Sequence, residues 1–134
     1  MSMKLIYVAG PYRAPTFQQV DRNIELARRM ALRVWRCGAA ALCPHLNTAH
    51  MDRDGIEDRH ILAGDQEMLR RCDAVILCGD HSQSEGSKDE IRLAQQLGLP
   101  VFAGVGAIDH LAAWLGGEKK TNGHPAKIAK TMTA

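Results

Sequence analysis

The sequence predicts an α/β domain built on a doubly wound parallel sheet, with helices over both faces. Three observations carry that prediction. Short apolar runs of strand length alternate with longer segments of helical periodicity. The first and third helical segments begin and end at residues suited to capping. The apolar runs are bounded by Gly, Pro and Asp, residues that turn a chain between elements.

Lys4–Ala9 is the first apolar run, closed by Gly10-Pro11 and read as a buried strand with its turn. Thr16-x-x-Gln19 has the form of a capping box. Behind it Val20, Ile24, Ala27, Ala31, Val34 and Trp35 recur at helical spacing, while Arg28, Arg29, Arg33 and Arg36 fall mainly on other faces. Gly38 stands where a left-handed C-cap belongs. Ala39–Cys43 is a second short strand, stopped by Pro44. The segment from His45 to Asp58 reads as a polar, irregular loop, long enough to carry function. Arg59–Arg71 is the second helix, Asp73–Cys78 the third strand, and Ser87–Leu97 the third helix, ended by Gly98. Pro100–Gly104 forms a fourth strand and Ile108–Leu115 a short last helix. Residues 1–116 thus make a single domain, and 117–134 a polar C-terminal tail. Right-handed crossovers then give a flavodoxin-like, Rossmann-like sheet of about four to five strands in the order 2-1-3-4(-5). Ligands of such sheets bind beyond the strands' carboxyl ends, at the switch point between strands 1 and 3. The loops Gly10–Thr16 and Gly79–Gly86 meet there.

Composition narrows the function classes. A chain of 134 residues, 46% hydrophobic and 24% charged, suits one compact core. A formal charge of +2 is too small for binding a nucleic-acid polymer through its phosphates, and 4% aromatic residues supply no stacking platform. Cys37, Cys43, Cys72 and Cys78 show no CxxC pairing and sit mostly in apolar runs, as reduced thiols of a cytoplasmic protein do. No signal peptide and no apolar stretch of membrane-spanning length is expected.

Three polar residues fall where periodicity would bury them. The stretch Ser84-Glu85-Gly86-Ser87-Lys88-Asp89-Glu90 follows the apolar run Ala74–Cys78 and opens a helix, a place where backbone N–H groups can cradle an anion. Glu90 shares a stripe with Ala94 and Leu97, so its carboxylate faces the core side. Ser87-x-x-Glu90 also satisfies a capping box, which would make Glu90 a structural residue. Asp65 sits among Ile61, Leu62, Met68 and Leu69, where an unpaired carboxylate costs several kcal/mol or takes up a proton. A salt bridge or a cap would equally account for it. Tyr7, near the end of the first strand, can be core packing, but its hydroxyl still needs a partner. His45 and Asn47, leaving the second strand toward the same face, are candidates to hydrogen-bond a base, or simply turn residues. His45, His50 and His60 fit no zinc spacing. Asp52, Asp54, Glu57 and Asp58 read as a solvated loop able to close over a ligand.

With these pieces in order, the chain resembles the nucleoside 2-deoxyribosyltransferase family, especially its small phage and bacterial relatives and its nucleotide N-hydrolase branch. The resemblance rests on Ile6-Tyr7-Val8-Ala9-Gly10-Pro11, on Asp65 ahead of Cys72-Asp73-Ala74, and on Ser84-x-Gly86-x-x-x-Glu90, over about residues 4–103. It implies N-glycosidic bond cleavage or transfer, with Glu90 as nucleophile at C1′, Asp65 assisting departure of the base and Tyr7 orienting the nucleophile. A carboxylate trapping an oxocarbenium-like centre, with an acid of raised pKa beside it, suits that chemistry. Ser84 matches the hydrolase branch, where serine helps bind a 5′-phosphate. Gly10, Arg13, His45, Asn47, Ser84 and Gly86 are then the substrate-binding residues, with Arg13 suited to bidentate phosphate recognition. Neither a cofactor nor a metal is implied, and a homodimer or higher homo-oligomer is. Two other readings stay open: a nucleotide-binding or sensing module without turnover, and a glycohydrolase acting on a dinucleotide such as NAD.

Overall fold

The computed structural model describes residues 2–79 and 85–121. Its first strand, β1 (Leu5–Ala9), leads into α1 (Phe17–Arg36), and β2 (Ala40–Leu42) follows. Thr16 caps α1 as the sequence suggests, its Oγ1 accepting from the Gln19 backbone N–H at 3.2 Å. Gly38, at φ +94°, takes the left-handed turn that releases the chain toward β2. Pro44 then starts a single helical turn, α2 (Pro44–Asn47), and a 3₁₀ turn covers Met51–Asp54. This corrects the reading of 45–58 as wholly irregular. Pro44 occupies the first helical position, where its missing N–H costs nothing.

Next come α3 (Asp58–Leu69), β3 (Ala74–Leu77), α4 (Glu85–Gln96), β4 (Val101–Phe102) and α5 (Ala107–Thr121). α4 starts before Ser87, so Gly86 lies inside its first turn rather than in a preceding loop. α5 outruns the expected Leu115 and enters the stretch read as a tail; residues 122–134 lie outside the described residues. The four strands form one parallel sheet in the order β2-β1-β3-β4, the expected doubly wound arrangement. Tyr7 sits centrally, in register with Leu42 of β2 and Val75 of β3.

Strand alternation divides the core into two layers. Ile6, Val8, Ile76 and Phe102 pack with Ala27, Ala31 and Val34 of α1 and with Leu111 and Trp114 of α5. Tyr7, Ala9, Val75 and Leu77 face the opposite side, against Leu69 of α3 and Ala94 of α4. Each fully buried large apolar side chain contributes about 1.5–3 kcal/mol by leaving water. Trp35, expected on the buried stripe, is 53% exposed. It stands roughly 80° around the helix from Ala27, on the flank of the contact face. The second layer matters most for the site: the helices over Tyr7 are those that carry Asp65 and Glu90.

Candidate active site

A cavity of about 470 Å³ opens beyond the carboxyl ends of β1 and β3, between the loop after β1, α2, α3 and the first turns of α4. Its volume is in the range of small-molecule sites. Tyr7, Asp65 and Glu90 all line it, as do Gly10, Arg13, His45 and Gly86. The switch-point position is therefore where the topology puts it.

Glu90 is the centre of the arrangement. The Tyr7 hydroxyl, on a fully buried side chain, donates a short hydrogen bond to Glu90 Oε2 across the sheet–helix boundary. This answers the capping-box alternative, because the carboxyl group meets Tyr7 and Ser87 is buried inside the helix. Burial raises Glu90 to about 7; the Tyr7 bond offsets part of that rise, and the Asp65 charge adds to it. Tyr7 is itself raised well above the usual phenol range, first by burial and then by the Glu90 charge, so it stays a proton donor.

Asp65 is pushed up to about 6 by burial. Its Oδ1 is inaccessible and has no hydrogen-bond partner among the described residues. The salt bridge that would have made it structural is therefore absent among them, and burial keeps a fraction of the group protonated near neutral pH. An orphaned acceptor beside a second carboxyl group is costly, and the cost falls most heavily on the ionised form. Asp65 lies on one face of α3 with Asp58, Ile61 and Leu62, all of them in the cavity wall.

Gly10 turns the chain into the site under tight constraint. A Cβ there would stand 2.5 Å from Cys78 Sγ and 2.7 Å from Cys78 O, so no larger residue fits between β1 and β3. Arg13 lies at the mouth, ion-paired to Asp58 at 2.5 Å with both side chains about half exposed. His45 is buried, and its Nε2 donates to the Pro11 carbonyl at 3.0 Å while its ring meets the Tyr12 edge. Burial lowers its pKa, so it is a neutral imidazole bracing the first loop. Asn47 is exposed at the end of α2 and is not among the described residues that line the cavity. Ser84 lies outside the described residues.

Several lining residues had no clear sequence signal. Tyr12 walls the cavity, and its hydroxyl accepts from the His50 backbone N–H at 2.7 Å. Asp52 reaches the cavity from the 3₁₀ turn, Asp89 from α4. His50, one of the three histidines considered for a metal, pairs instead with Asp21 at 2.7 Å and stacks on Phe17. The repeated acids in the 52–58 loop were the only hint, and they read equally well as solvated surface.

The family model described as a domain of unknown function (DUF7768) matches residues 4–103, and the chain belongs to that family. No curated protein matches it. Among solved structures, a 2-deoxyribosyltransferase from the psychrotolerant bacterium Bacillus psychrosaccharolyticus matches with a TM-score of 0.53 at 19% identity, over 74% of this chain and 70% of that one. At that identity the likeness is one of fold. That protein is an enzyme described as a biocatalyst for nucleoside synthesis.

Proposed function

For this member of the DUF7768 family, we propose cleavage of the N-glycosidic bond of a nucleoside or nucleoside 5′-monophosphate through a covalent glycosyl-Glu90 intermediate, with water favoured over a second base as acceptor. The observation that carries the reading is the Tyr7–Glu90 hydrogen bond at the wall of a cavity that also holds the unpartnered Asp65. A purely structural Glu would not be buried beside a second carboxyl group, because both burial and that neighbour raise the cost of ionising it, while the Tyr7 hydroxyl favours the ionised form a nucleophile needs.

In the first step ionised Glu90 attacks C1′ of the sugar. The C1′–O bond forms as the C1′–N bond breaks, and the electron pair stays on the base nitrogen. Asp65, protonated, gives its proton to the departing base. Tyr7 holds Oε2 and so orients the nucleophile. In the second step water attacks C1′, its proton passes to Asp65, and the ester bond breaks to regenerate the Glu90 carboxylate. The preference for water draws on Ser84 and on the resemblance it carries. A 5′-phosphate would meet the first turn of α4, with Ser84 and Arg13 as the contributing side chains.

The test is incubation of the chain with nucleosides, their 5′-monophosphates and NAD, following free base by chromatography. Base release that Glu90→Gln lowers by three or more decades supports the reading. A sugar adduct on the Glu90 peptide, trapped with a 2-fluoro-2-deoxy substrate, supports the covalent step. Tight binding with no base released from any compound would favour the sensing-module alternative.

A further inference from the structure

The charge around the cavity bears on which base it accepts, given the glycosidic reading above. Among the described lining residues there are five carboxyl groups, Asp52, Asp58, Asp65, Asp89 and Glu90, and one guanidinium, Arg13. Arg13 is occupied by Asp58, and Asp89 pairs with Arg92. Asp52, Asp65 and Glu90 have no cationic partner among the described residues. The lining is thus acidic after its internal pairs are counted, and a concave low-dielectric wall focuses such a field on the ligand.

The field also has a shape. Asp58, Ile61, Leu62 and Asp65 stand at i, i+3, i+4 and i+7 of α3, which puts two aliphatic side chains between two carboxyl groups along one wall. A flat heteroaromatic ring can lie on Ile61 and Leu62 with its edge toward the Asp65 carboxyl group in the same wall. An uncharged base would meet that carboxylate favourably only through an N–H. A ring bearing positive charge satisfies it and relieves the crowding of Asp65 and Glu90 as well.

We propose that this cavity selects a nucleoside whose base is positively charged while still attached to the sugar, such as a pyridinium or N-alkylated purine nucleoside. The bond changes balance without an external acid. Glu90 forms its bond to C1′, the C1′–N electron pair moves onto the ring nitrogen, and that pair cancels the ring's charge. The base leaves neutral, and Asp65 serves it as counter-ion before departure rather than as proton donor.

The test uses a matched pair of probes, nicotinamide riboside and its uncharged 1,4-dihydro form, titrated calorimetrically into the full chain carrying Glu90→Gln to prevent turnover. The cation should bind at least tenfold more tightly, and adding Asp65→Asn should reduce that ratio to below about threefold. If the Asp65 variant does not fold, Asp52→Asn on the exposed 3₁₀ turn should lower the same ratio at least twofold. Equal binding of the two probes, or tighter binding of the uncharged one, overturns the inference. Wild-type turnover separates it from the underlying reading. Glu90-dependent release of uncharged bases alongside equal binding removes the charge preference alone. Failure to release base from any nucleoside, cationic ones included, overturns both the leaving-group assignment and the glycosidic reading.

Discussion

Glu90 and Asp65 have opposite needs in the proposed reaction, since one must be ionised and the other protonated. Burial holds Glu90 near about 7 and Asp65 near about 6, so the productive combination is the minority one at every pH. For an uncharged nucleoside, kcat/KM should be bell-shaped with its maximum between about 6 and about 7. With p-nitrophenol as leaving group no proton is needed, and the falling alkaline limb should disappear. Asp65→Asn should accordingly cost roughly two to four decades on natural uncharged bases and under about one decade on p-nitrophenol. Equal losses on both substrates would make Asp65 structural. At the mouth, Arg13 is held by Asp58. Asp58→Asn should free that guanidinium and raise monophosphate affinity by about one decade or more, the worth of one charge-assisted bond. Calorimetry that shows no gain would remove Arg13 from phosphate recognition.

Among the elements, β1 and β3 depend on Gly10 most sharply. Gly10→Ala would drive a methyl group into Cys78 Sγ and its carbonyl, at the strand ends that carry the cavity. Overpacking of this kind costs about 1–3 kcal/mol, read as a lower urea midpoint, and turnover should fall beyond what that stability loss explains. An unchanged midpoint with full activity would show that the strand ends can part freely. The element order was legible because each strand is a continuous apolar run and α1 carries a capping signal at each end, Thr16 and Gly38. α2 and the 3₁₀ turn were not, since a single helical turn has no periodicity to read. The start of α4 was misplaced for a related reason: Gly86 reads as a turn residue, yet the helix takes it into its first turn.

For the whole molecule, the site works against stability. Glu90 titrates near about 7 in the folded chain against an ordinary 4.5, so the folded state holds that proton more tightly than the unfolded one. Nothing is lost below about 4.5; stability falls as pH rises through the window from 4.5 to about 7 and stays reduced above it. Glu90→Gln removes that loss. It should raise stability at about pH 8 by roughly 3 kcal/mol, read as a higher Tm, and leave it nearly unchanged at about pH 4. A gain of equal size at both pH values would trace to packing and not to the buried charge. Self-association is a second expectation at this scale, following the family resemblance. Light scattering should return at least twice the 14.7 kDa of one chain. A fully active monomer would show the cavity to be complete within a single copy.

The sequence by itself determined the alternation of strands and helices, the parallel order that follows from it, and three polar residues set on faces that should be buried. Those are local properties: a period of two or of 3.6 residues is written in consecutive side chains. Only the tertiary structure decided who meets whom. Tyr7 and Glu90 lie 83 positions apart, and their hydrogen bond exists because strand alternation turns Tyr7 toward the layer that α4 covers. The same long-range packing sets Arg13 against Asp58, commits His45 to the Pro11 carbonyl, leaves Asn47 in solvent and brings Asp52 to the cavity. A composition of acids and bases near balance gave no sign of an acidic cavity, because net charge sums over the chain while a binding site feels only the charges that folding gathers around it.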